Sequence, residues 1–293
     1  MVFIAIVEVN LLEEPRLYFE KSEYIKNHGA EIEILFMGNS TMGSAIIPDM
    51  VHPNSYNLAL PVEHPTRSLE LAVHLSTCLP NLDTVVLGLN YVSLLTKDHV
   101  ANLNGIHYER FFELEGDSKT EKMFVSMSER PSRIFEMLGD VYPSITIDPN
   151  ASKMIQKYGK GHYYSSKEYD DIKEVLKARY KIFKALTDTS HLSTNIIKLK
   201  QFVKTLNEKG IRVVFVRFPT PEIDVNFQDE TLIDLQNQAI DEIIVECIAC
   251  DYLDYGSTDG FASTDLYTDA FHFSSKGALK ISDRIKDDLI GDL

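Results

Sequence analysis

The chain has 293 residues, 44% of them hydrophobic and 25% charged, the balance of an ordinary globular protein with enough apolar material for a packed core. Its formal net charge of -15 repels phosphate backbones and anionic lipid surfaces, since both are bound through Lys and Arg, so nucleic acid is not an expected partner. At this length the expected organisation is a single α/β domain over residues 1–293 with an insertion at about 97–166.

The N-terminal run from Met1 to Val7 is apolar and is interrupted by Glu8, too short for the roughly 20 residues of a spanning helix. The chain as written is therefore expected to be soluble. The same run fits either an N-terminal strand or the outer end of a membrane anchor lying upstream of Met1. Glu31 to Gly38 is a short apolar run that ends at glycine and is followed by Asn39, Ser40 and Thr41, which predicts a strand feeding a turn. Tyr56 to Leu60, closed by Pro61, is a second strand, and Arg67 to Leu79 has helical apolar spacing. Leu82 to Asn90 is apolar on both faces at its centre, as in parallel sheets covered on both sides.

The pattern loosens across the expected insertion, where aromatic stretches at His107 to Phe112 and Lys157 to Tyr164 are suited either to stacking on sugar rings or to forming the insertion's own core. Helical periodicity covers Tyr169 to Leu186 and Ser193 to Lys209. A fourth strand follows at Ile211 to Phe218, then a helix from about Asp229 to Cys250, a short strand at Asp251 to Tyr255 and a last helix at Ser275 to Ile290. Strands alternating with helices need right-handed crossovers. The expected fold is flavodoxin-like, three-layer α/β/α, with a central parallel sheet of about five strands.

Cys247 and Cys250 have C-x-x-C spacing, which suits a redox pair or half of a zinc site. With no second pair following, the spacing predicts two reduced cysteines on one buried helix face.

Ligands in such sheets sit at the carboxyl ends of the strands, which points to Ser40, Ala59, Asn90, Arg217 and the segment after Tyr255. Ser40 is suited either to capping a helix or to serving as a nucleophile. Near the other end, Asp269 and His272 stand three residues apart before the last helix, a spacing that lets a carboxylate fix an imidazole tautomer while the other ring nitrogen faces a hydroxyl. Serine early and Asp-x-x-His late favour the catalytic reading. Arg217 is a candidate clamp for a substrate carboxylate or sugar substituent. His52 and His64 flank the second strand, with His64 a candidate substrate contact.

In these blocks the chain resembles the SGNH (GDSL-like) hydrolase superfamily, whose first block is a Gly-Asp-Ser turn after the first strand and whose last is Asp-x-x-His. It is most similar to a bacterial branch, often membrane-anchored and associated with polysaccharide genes. That branch shares a Gly-Ser-Ser-His type turn, an Asn-Leu-Ala segment and a Pro-Asn-Leu lead into the third strand, which correspond here to Gly38 to Thr41, Asn57 to Ala59 and Pro80 to Asn90. The resemblance continues through Lys209 to Val214, Asp269, His272, Gly277 and Ala278.

The resemblance implies a triad of Ser40, His272 and Asp269. It implies an oxyanion hole from the Ser40 N–H, the Ala59 N–H and the Asn90 side chain, and no metal or organic cofactor. The implied activity is that of an O-acyl esterase or acyltransferase on an acylated carbohydrate or surface polysaccharide, in an extracytoplasmic or cell-envelope setting. Asn39, Ala59 and Tyr91 depart from the family's aspartate, glycine and aspartate, and they motivate an alternative: a catalytically silent fold that binds glycan or serves in assembly. A flavodoxin-like binding protein is a further alternative, although no glycine-rich phosphate loop follows the first strand.

Overall fold

The computed structural model describes residues 13–61, 63–90, 92–96, 108–109, 111–114, 187–220, 228–256, 260–267 and 272–291. The elements in chain order are α1 (Glu13–His28), β1 (Ile34–Met37), α2 (Ser40–Ala45), α3 (Pro48–Val51), β2 (Ser55–Asn57), α4 (Pro65–Leu75), β3 (Thr84–Leu89), α5 (Leu192–Glu208), β4 (Arg212–Arg217), α6 (Glu230–Val245), β5 (Cys250–Asp254) and α7 (Ser275–Ile290). The five strands form one parallel sheet in the order β2-β1-β3-β4-β5, the three-layer α/β/α arrangement expected from the alternation of strands and helices. Most of the expected insertion, and the helix expected at 169–186, lie outside the described residues.

Side chains alternate across the sheet, because successive residues of a strand face opposite ways. Leu35, Val85, Leu87, Val213 and Phe215 point to one side and pack with α1, α4, α5 and α6 through Tyr18, Leu71, Leu199 and Ile240. Ile34, Phe36, Val86, Val214 and Val216 point to the other and pack with α2, α3 and α7 through Met42, Val51, Ala278, Ile281 and Ile285. Both faces of the central strands are thus covered, which is why they read as continuous apolar runs. Tyr108 and Phe112 are buried with Tyr18 in the first of these cores. These two aromatics of the insertion are therefore core side chains. Those at 157–164 lie outside the described residues. No described helix is long and apolar enough to cross a membrane.

The cysteine expectation is corrected. Helix α6 stops at Val245, and Cys247 and Cys250 form a disulfide across the turn into β5. Ile248 between them is 94% exposed, so the apolar face of α6 does not continue through this turn. With the helix ended, the Cα atoms stand 5.7 Å apart, within bridging range. So short a loop restricts the unfolded chain by only about 2 kcal/mol on the chain-entropy account. Cys78 is free and exposed. Thiol titration of the denatured chain is expected to find one reactive cysteine before reduction and three after it; three before reduction contradicts the pairing.

Lys21 on α1 is fully buried, and its Nζ donates to the carbonyls of Asn57 at 3.0 Å and Ala59 at 2.5 Å, where the chain leaves edge strand β2. These bonds satisfy carbonyls at the end of a strand. Burial pushes the Lys21 ammonium down to about 7. Between that value and the ordinary lysine range the unfolded chain binds more protons than the folded one, so stability rises with pH across the window. Wild type is expected to gain stability relative to Lys21→Met as pH is raised from about 6 to about 9, by at most about 1.4 kcal/mol per pH unit. Urea unfolding of both proteins across this range checks it, and a pH-independent difference contradicts it.

Candidate active site

In the order β2-β1-β3 the chain leaves β1 toward one side of the sheet and β3 toward the other, which opens a crevice at their carboxyl ends. Ser40 follows β1 and Asn90 follows β3. The two strand ends approach closely. Gly38 has φ +135°, and a Cβ there would stand 2.9 Å from the Gly88 carbonyl oxygen; a Cβ on Gly88 would meet Met42 and Phe218 at 2.8 to 3.0 Å. Glycine at both positions allows the backbone to turn out of β1 and α2 to lie directly against β3.

Asn39 caps α2, its Oδ1 accepting the Thr41 N–H at 3.0 Å. The capping role that the sequence allowed for Ser40 thus belongs to its neighbour, and the Ser40 hydroxyl faces outward from the first helical position. Its Oγ lies 2.9 Å from His272 Nε2, with Ser40 half-buried and His272 buried. As the first residue of the helix, Ser40 has no carbonyl four residues back for its N–H within α2.

His272 immediately precedes Phe273, which pairs with Tyr267 in a bridge, and lies three residues before the start of α7. Ser274 caps α7 by accepting the Gly277 N–H at 3.2 Å, and the Phe273 ring packs against Tyr267 and Phe218. Two serines tie this segment and α7 to α2 and to the turn that follows it. Ser44 Oγ accepts the Phe273 N–H at 3.1 Å, and Ser282 Oγ accepts the Ile47 N–H at 2.9 Å. Ser44 lies one helical turn after Ser40, so one short helix carries the hydroxyl and also fixes the backbone beside the imidazole. Asp269 lies outside the described residues.

Asn90 is half-buried. Its Oδ1 accepts the Val92 N–H at 3.0 Å and its own N–H donates to Ser93 Oγ at 2.8 Å. With the oxygen so engaged, the Nδ2 group is the end of the amide left to donate. Asn90 lines a cleft together with Thr41, Arg217, Phe218, Thr220 and Gln228. Arg217 is held in that wall by a bidentate pair with Asp254, at 2.7 Å and 2.8 Å. Asp254 is its register partner on β5. The carboxylate balances the guanidinium charge, so Arg217 ties β4 to β5 and is not an unpaired cation awaiting substrate.

Two other expectations change. The Ala59 N–H donates to Asn57 Oδ1 at 3.1 Å, so it is not a free oxyanion donor. Asn57 uses its Nδ2 to reach the Met42 and Ile46 carbonyls at 3.1 and 3.3 Å, which makes the Asn-Leu-Ala segment a brace between β2 and α2. His64 is neither exposed nor at the cleft. It is buried as the cap of α4, with Nδ1 accepting the Thr66 N–H at 3.3 Å and Nε2 lying 3.2 Å from the Thr96 carbonyl. A carbonyl only accepts, so that contact places the ring proton on Nε2. His52, beside Glu33 at 3.6 Å, precedes β2 and so lies at the opposite end of the sheet from Ser40.

Among the described residues no group of three or more His, Cys, Asp and Glu is placed to hold a metal ion. Of the polar side chains that brace the site from behind, Ser44 and Gln236 are not singled out by the sequence, and Asn57 stands out there only as the first residue of the Asn-Leu-Ala segment. Each lies within an otherwise regular helix or strand, where a polar residue reads as solvent-facing, and only burial distinguishes Asn57 and Gln236.

No family model matches the chain, and neither does any curated protein. Among solved structures the chain is similar to a protein from Streptococcus pneumonia provisionally described as a platelet activating factor, with TM-score 0.46 and 11% identity over 98% of each chain. It is also similar to a GDSL-like lipase from Bacteroides thetaiotaomicron, with TM-score 0.43 and 10% identity over 94% of this chain and 100% of that one.

Proposed function

We propose that this chain is an SGNH-type serine enzyme, an O-acyl esterase or O-acyltransferase acting on a carbohydrate or surface polysaccharide. The observation that carries the reading is the 2.9 Å contact between Ser40 Oγ and His272 Nε2 across 232 positions of sequence, the geometry of a nucleophile and its base. In this reading Ser40 Oγ attacks the acyl carbonyl as His272 Nε2 takes its proton. The Ser40 N–H and the Asn90 Nδ2 group stabilise the tetrahedral oxyanion. His272 then returns the proton to the leaving alcohol, and water or a sugar hydroxyl takes the acyl group from Ser40. Asp269 has the role of orienting His272 through Nδ1.

The block order of Ser40, Asn90, Asp269 and His272, together with their likeness to the SGNH blocks, supports the assignment. The Cys247–Cys250 disulfide fits an oxidising compartment and so supports an extracytoplasmic or cell-envelope location. The engaged Ala59 N–H leaves one oxyanion donor fewer than the family pattern supplies. That observation favours the alternative, a catalytically silent glycan-binding or assembly protein.

Steady-state hydrolysis of a nitrophenyl acetate separates the two. Ser40→Ala and His272→Ala are each expected to abolish turnover, Asp269→Asn to leave a residual rate, and Asn90→Ala to lower kcat by about 10²- to 10³-fold. Full activity in folded Ser40→Ala contradicts the mechanism. Absence of hydrolysis by wild type, and of transfer from an acyl donor to a glycan acceptor, supports the silent reading.

A further inference from the structure

Gln236 lies within α6 and is completely buried. Its amide makes two bonds to the segment that follows β3: Nε2 donates to the Asn90 carbonyl at 2.6 Å, and Oε1 accepts the Leu94 N–H at 3.1 Å. A buried amide must satisfy both ends, and here both partners are backbone groups of the turn that carries Asn90. Within the turn, the Asn90 N–H donates to Ser93 Oγ and the Val92 N–H to Asn90 Oδ1. Asn90 is therefore held at its N–H, its carbonyl and its side-chain oxygen; the carbonyl also accepts the Ser93 N–H at 3.4 Å, and of these contacts the Gln236 bond alone comes from another element of the fold. Asn195 of α5 anchors the same segment further on, at the Leu94 and Thr96 carbonyls, so removing Gln236 loosens the turn at Asn90 without touching the Asn90 side chain.

We propose that Gln236 is a positioning residue for the oxyanion site: from α6 it fixes the backbone of Asn90 so that Nδ2 presents to the tetrahedral intermediate. This rests on the oxyanion role assigned to Asn90 above. An oxyanion donor is effective when it is already aimed at the position where charge develops, so a loosened turn loses transition-state stabilisation and leaves ground-state binding nearly intact. Gln236 touches no reacting atom, and its effect must pass through Asn90.

A double-mutant cycle on the full chain, with nitrophenyl acetate as substrate, tests this. Gln236→Met is expected to lower kcat about 10- to 100-fold, less than Asn90→Ala, with KM changed less than about 3-fold. In the Asn90→Ala background the same change is expected to cost less than about 3-fold, because the donor it aims is gone. Equal losses in both backgrounds overturn the proposal, as does wild-type kcat in Gln236→Met.

Wild-type kcat in Asn90→Ala overturns the oxyanion assignment itself and the proposal with it, which separates the two failures. Should Gln236→Met not fold, Gln236→Glu supplies the test. A protonated carboxyl both donates and accepts, whereas a carboxylate only accepts. The kcat of Gln236→Glu relative to wild type is expected to fall as pH rises through the titration of the buried carboxyl, and a pH-independent ratio overturns the proposal.

Discussion

The close approach of the β1 and β3 ends governs the rest of the site. Gly38 at φ +135° faces the Gly88 carbonyl across a gap that no side chain fits, and Gly88 in turn admits Met42 of α2 against the sheet. Because α2 starts there, Ser40 emerges at the mouth of the crevice between the two strands, and Asn90 emerges beside it. Widening the gap at either glycine moves the helix that carries the hydroxyl away from the strand that carries the amide. The reversal of strand order at this point supplies the crevice, and the two glycines set its width.

The parts around this junction hold one another through side chains that make no contact with a reacting atom. Asn57 ties the exit of β2 to α2 through the Met42 and Ile46 carbonyls, while buried Lys21 holds the Asn57 and Ala59 carbonyls from the other face. Ser44 fixes the backbone next to His272, and Gln236 fixes that of Asn90. Each is an amide, hydroxyl or ammonium meeting backbone groups at the end of a strand or helix, where regular structure leaves donors and acceptors unpaired. The polar groups needed to finish the fold also orient the site.

Much of this was legible in the sequence. The apolar runs of the three central strands, β1, β3 and β4, and the helix at Ser275 to Ile290 lie within a few residues of their structural bounds, because strands covered on both faces and a strongly amphipathic helix leave clear patterns. The pairing of Ser40 with His272 is expected from their positions after the first strand and before the last helix, and the two side chains stand 2.9 Å apart. The cysteine pair was misread because i,i+3 spacing suits a helix face and a tight turn equally, and nothing local shows that α6 ends at Val245. His64 follows the second strand and so reads as a candidate substrate contact, whereas here Pro65 opens α4 and His64 caps it. Ala59 was given a donor role by its place in a block, and only the geometry shows its N–H held by Asn57. Helix α1, rich in charge, gave no core-facing pattern strong enough to reveal that it buries Lys21.

The central claim is that Ser40 is an activated nucleophile with His272 as its base, and reaction with a fluorophosphonate tests it most directly because covalent capture requires activation rather than mere exposure. The account predicts a single adduct on the intact wild-type chain, mapped by peptide mass spectrometry to Ser40 and lost in His272→Ala. An adduct on another residue, or labelling of Ser40 that persists undiminished in folded His272→Ala, would contradict it.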